Sequence, residues 1–126
     1  MVTQRDLVIL SYPFSDLKTT KVRPAIVVSN NSYNSESQDM VVVPLTTNLS
    51  LTKHAITLTA DMLEKGKLIR ESKVKVDRIV SLNQHLVRKV VGKVNEKVLD
   101  EIITVLLGIV KSSSAKSYQQ AAITHT

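Results

Sequence analysis

The string Lys21-Val22-Arg23-Pro24-Ala25-Ile26-Val27-Val28-Ser29 sets a guanidinium at the mouth of an apolar run. Proline disfavours the helical region for the residue before it, so Arg23 is held extended at a loop–strand junction. Farther along, Val43-Pro44-Leu45-Thr46-Thr47-Asn48 ends a second apolar run in two hydroxyls and an amide. A planar guanidinium can meet phosphoryl oxygens with two donors, and a threonine hydroxyl can add another. Each also has a plain explanation, a surface ion pair for the arginine and turn formation for the threonines.

Other chemistries find little support. His54, His85 and His125 are too scattered for metal-ligand spacing, and no acidic cluster joins them, so no metal is expected. The absence of cysteine excludes zinc ribbons and catalytic thiols. No Ser-His-acid set, P-loop or glycine-rich nucleotide fingerprint is present. An enzyme built from these residues must work with charge and hydroxyls.

The elements that hold the two strings read mostly as strands. Leu7-Val8-Ile9-Leu10 forms a short β-branched run, and the second strand spans about 22–29. Residues 30–39, rich in Asn and Ser, read as a loop, and 40–45 as a strand buried on both faces. Ile56 and Leu58 alternate with polar neighbours. So do Val74 and Val76, inward between Lys73, Lys75 and Asp77 in a strand drawn over 72–81, with Gly66 in the turn before it. A further strand is expected within 88–94. Asn95 is a plausible N-cap for a helix whose Val98, Leu99, Ile102, Ile103, Leu106, Leu107 and Val110 recur at helical spacing. Its polar face is acidic, which argues against a membrane-surface helix. The expectation is an α+β, mainly antiparallel β-barrel capped by a C-terminal helix over 1–111, then a polar, mobile tail over 112–126.

With 126 residues, 43% apolar and 22% charged, the composition suits one domain able to fold without staples. The start lacks a signal-peptide run and no stretch is long and apolar enough to cross a bilayer, so a cytoplasmic protein is expected. A net charge of +6 and a pI near 9.7 favour a polyanionic partner. The only aromatics are Tyr12, Phe14, Tyr33 and Tyr118, too few for a stacking platform. Contact with nucleic acid would lean on charge and hydrogen bonds.

In order and spacing, Arg5-Asp6-Leu7-Val8, the strings 21–29 and 43–48, and Ser72-Lys73-Val74-Lys75-Val76-Asp77-Arg78-Ile79 are similar to the MazF/PemK family of type II toxin–antitoxin ribonucleases. The resemblance spans most of residues 4–107. It departs at Arg5, where the family usually has glycine. It departs too in the short loop 11–22, which lacks a Gly-Ser-Glu-like segment and looks more like the PemK-like branch.

The resemblance implies a homodimeric SH3-like barrel that cleaves single-stranded RNA, usually messenger RNA, at short sequences without metal or other cofactor. The 2′-hydroxyl attacks the adjacent phosphorus, leaving a 2′,3′-cyclic phosphate and a 5′-hydroxyl. By position, the catalytic arginine falls on Arg23 and the catalytic threonine on Thr46. Arginine stays protonated at ordinary pH, so charge stabilisation suits it better than base catalysis. His54 is a candidate general base, because histidine is the side-chain type suited to proton transfer near neutral pH, and Lys18, Lys21, Asn48 and Lys53 are candidate RNA-positioning groups. The implied partner is a cognate antitoxin whose acidic C-terminal segment folds over the basic groove. The alternatives are a non-enzymatic inhibitor of DNA gyrase resembling CcdB, acting through its terminal helix, and an inactive nucleic-acid-binding homologue.

Overall fold

The computed structural model describes residues 1–13, 20–68 and 70–112. Lys18 and nearly all of the expected tail lie outside them. The strands β1 (Asp6–Pro13), β2 (Thr20–Val27), β3 (Asp39–Thr46), β4 (Ala55–Leu58), β5 (Leu63–Gly66), β6 (Ser72–Lys75), β7 (Val80–Asn83) and β8 (Val87–Val94) join one antiparallel sheet. Its order is β4-β6-β3-β2-β1-β8-β5, with β7 pairing to β3. The sheet curls into a half-barrel, and α2 (Glu96–Val110) follows its last strand.

Strand alternation gives the sheet two buried faces. Leu7, Ile26, Val43, Leu45, Val74 and Val76 share one core with Val98 and Ile102 of α2. Val8, Leu10, Ala25, Val27, Met40 and Val42 form the other, with Val2 beside them. This explains why the runs in β1, β2 and β3 are continuously apolar.

The strand expected over 72–81 is broken. Val74 and Val76 do point inward, but the chain passes through a 3₁₀ turn at Val76–Arg78, where Ile79 N donates to Val76 O at 3.2 Å. That turn lets one edge of β3 serve two strands. Asp39–Val42 pair with β7, and Leu45–Thr46 pair with β6.

The segment read as a loop over 30–39 contains α1 (Asn31–Glu36). Asn30 caps it, its side chain accepting from Tyr33 N at 2.8 Å, because the residue types that favour turns also favour helix N-caps. Asn34 is buried, its Nδ2 donating to Ser29 O at 3.0 Å. Gln84 Nε2 binds the carbonyls of Asn34, Ser37 and Asp39 at 2.8–3.1 Å, fastening this segment to the sheet.

Gly66 ends a strand, β5, rather than lying in a loop. Its φ of +80° and its approach to Gly92 on β8 leave no room for a Cβ. The Asn95 cap is present, accepting from Val98 N at 3.0 Å. Of the apolar face expected on α2, Val98, Leu99 and Ile102 are buried, while Ile103, Leu107 and Val110 stay exposed. Among the described residues no helix is long and apolar enough to cross a membrane.

Candidate nucleic-acid site

The β2–β3 ladder runs Val27↔Val42, Ile26↔Val43, Ala25↔Pro44. Val28 N donates to Val41 O at 2.9 Å, so Val28 and Val41, and by alternation Ile26 and Val43, are hydrogen-bonded pairs. The next such pair would need an N–H on Pro24, which proline lacks. The assigned ladder accordingly stops at Ala25. Continued by two residues, the same register sets Arg23 opposite Thr46 in a non-hydrogen-bonded position, where facing Cα atoms lie about 4.5 Å apart.

Parity puts both side chains on one face. Arg23 is two residues from Ala25, and Thr46 two from Pro44, and those residues face each other. The row continues across the sheet, because Thr46 pairs with Lys73 of β6 and Lys73 with Thr57 of β4. Lys73 Nζ donates to Thr57 Oγ1 at 2.8 Å. Thr46, Lys73 and Thr57 thus form a cross-strand row of hydroxyl, cation, hydroxyl, to which the continued β2–β3 register adds Arg23 beside Thr46. All four are partly buried. Lys21 extends the row's face along β2 and is exposed.

The turn after β3 is tied down locally. Thr46 Oγ1 accepts from Asn48 N at 3.2 Å, and Asn48 Oδ1 accepts from Ser50 N at 3.2 Å and Ser50 Oγ at 2.6 Å. Asn48, two residues past Thr46 along the chain, is exposed.

Lys53 and His54 lie elsewhere. They form the turn entering β4, His54 with φ +55° and its carbonyl accepting from Val76 N at 3.1 Å. From Thr46, His54 is two strands over and three residues along, a backbone separation on the order of 14 Å at ordinary sheet spacing. The register does not bring it to Arg23 and Thr46.

No sequence signal marks Lys73 and Thr57 as site residues. Alternation in 54–59 and 72–76 puts both opposite the apolar face, but which strand lies beside which is not written in either segment. A cleft of about 730 Å³ opens on the other face of the sheet, over Leu7, Ile9 and Pro24, with Lys67, Arg70 and Lys89 in its lining. Among the described residues no three His, Asp or Glu side chains gather as metal ligands would.

Residues 3–110 match the family model described as the PemK-like, MazF-like toxin of type II toxin–antitoxin systems. No curated protein matches. Solved structures do. MazF from Deinococcus radiodurans is 23% identical with a TM-score of 0.71, covering 86% of this chain and 96% of that one. A mycobacterial endoribonuclease in complex with its cognate antitoxin is 19% identical at a TM-score of 0.70, covering 87% and 95%. The Mycobacterium tuberculosis toxin MazF-mt6 is 15% identical at 0.66, covering 82% and 94%. At such identities the likeness is one of fold.

Proposed function

Because the chain belongs to the PemK-like, MazF-like toxins of type II toxin–antitoxin systems, we propose that it is an endoribonuclease cutting single-stranded RNA at Arg23 and Thr46. The observation that supports this reading is the β2–β3 register, which runs to Ala25↔Pro44 and, continued by two residues, would bring the guanidinium of Arg23 opposite the hydroxyl of Thr46.

In the proposed reaction the 2′-hydroxyl loses its proton as O2′ bonds to phosphorus, and the P–O5′ bond breaks as O5′ gains a proton. The products are a 2′,3′-cyclic phosphate and a 5′-hydroxyl. Charge on the non-bridging oxygens rises in the transition state. Arg23 meets it with fixed, always-charged donors, and Thr46 adds a hydroxyl. Losing one such donor typically costs about a hundredfold to a thousandfold in rate. Metal independence and preference for a short sequence belong to the same proposal. So does RNA positioning by Lys18, Lys21, Asn48 and Lys53. Assembly as a homodimer, and an antitoxin whose acidic segment covers the cationic row, complete it.

The test is purified protein with single-stranded RNA in EDTA. Fragments ending in cyclic phosphate and 5′-hydroxyl are expected, with no cut where the scissile nucleotide is 2′-deoxy. RNA left intact by a protein that still arrests growth would refute this and favour a gyrase-type inhibitor.

A further inference from the structure

Lys73 is partly buried in the middle of a sheet, and its cross-strand neighbours on the same face are two threonines. No carboxylate among the described residues lies within ion-pair distance of the Lys73 ammonium. Thr57 Oγ1 takes one of its three donors at 2.8 Å. Its remaining donors have no protein acceptor among the described residues and are open to water or to an incoming anion. The hydroxyl tether also holds Nζ toward the row rather than letting it spread into solvent. Arg23 and Lys73 flank Thr46 from opposite sides, their backbones about 10 Å apart at ordinary strand spacing. Such a pair can grip one strand on both sides of the hydroxyl between them.

Resting on the ribonuclease reading, we propose that Lys73 binds a phosphate of the RNA on the side of Thr46 away from Arg23, with Thr57 as its positioning residue. An acidic peptide could meet the same ammonium. The row shared with Arg23 and Thr46 favours the nucleic-acid backbone.

The experiment uses an uncleavable RNA, 2′-O-methylated throughout, titrated with the full chain at several salt concentrations. Each phosphate contact on a single strand contributes about 0.7 to the slope of log affinity against log salt. Lys73→Gln is expected to lower the slope by about that amount. Lys73→Arg should keep it, and Thr57→Val should weaken binding with the slope unchanged, because the charge remains. Lys97→Gln, at an exposed lysine on α2, is the control with no change. Thermal melting of each variant separates misfolding from lost contact.

An unchanged slope in a folded Lys73→Gln overturns the inference and leaves the ribonuclease reading standing. Wild-type protein that binds no RNA overturns both. An acidic peptide that loses affinity for Lys73→Gln while the RNA slope stays put overturns the inference in favour of the antitoxin.

Discussion

Thr46 and Lys73 face each other across β3 and β6 as the last rung of a two-rung ladder. Past that rung β3 gives way to the turn whose Asn48 N–H is held by Thr46 Oγ1 at 3.2 Å. The hydroxyl therefore has a structural duty as well as the proposed chemical one, and the two can be separated. Thr46→Ser keeps an oxygen for both and should cleave RNA at close to the wild-type rate. Thr46→Val keeps the shape and loses the oxygen. Its stability should fall by about 1 kcal/mol for the lost hydrogen bond, and its rate by about a hundredfold. Melting curves and single-turnover cleavage measure the two losses separately.

His54 offers a contrasting expectation. Histidine is a common general base, but the register sets His54 two strands from Thr46. His54→Ala should retain most of the wild-type rate, with the pH dependence of cleavage unaltered. A loss comparable to that of Thr46→Val would restore it as the base.

Arg5 holds a backbone conformation that favours glycine. Its φ is +77°, a region that costs non-glycine residues roughly 1–2 kcal/mol. Against that, Arg5 Nη1 donates to Val94 O at 2.8 Å, worth about 1 kcal/mol. Arg5 N and O also bridge Val27 and Val94. Arg5→Gly relieves the strain, loses the side-chain bond and gains unfolded-state entropy, so its stability should stay within about 1 kcal/mol of wild type. Arg5→Val keeps the strain with a branched side chain and loses the bond. It should fall by about 2 kcal/mol or more in urea denaturation.

Gly66 is less forgiving. A Cβ there would strike the Val91 carbonyl, and the φ of +80° adds strain. Opposite it, a Cβ on Gly92 would come within 2.6 Å of Lys65 O. Gly66→Ala should lose about 3 kcal/mol and loosen β5 from β8, visible as faster amide exchange in both strands.

Local signals carried far in this chain. The Asn95 cap, the spacing of Val98, Leu99 and Ile102, and the alternation of Ile56, Leu58, Val74 and Val76 are all properties of neighbouring residues, and each appears in the fold. What required distant partners was not legible. Nothing in residues 76–79 announces that β3 must pair first with β7 and then with β6, so alternation alone predicts one strand running through the turn. The Asn- and Ser-rich segment 30–39 could equally be a loop or a capped helix. The choice falls to Asn34, buried by contacts with Ser29 and Gln84 that come from outside it. The same limit hid Lys73. Its outward parity was visible, but its place beside Thr46 depends on strand order.

Whether Arg23 and Thr46 act upon a single phosphate is measured most directly by a double-mutant cycle on RNA cleavage. Groups that act as a unit are strongly non-additive. Arg23→Ala should slow cleavage by about a thousandfold, and adding Thr46→Val should slow it by no more than about threefold further. Rate losses that multiply in full, or an Arg23→Ala protein that still cuts at the wild-type rate, would contradict joint action on one phosphate.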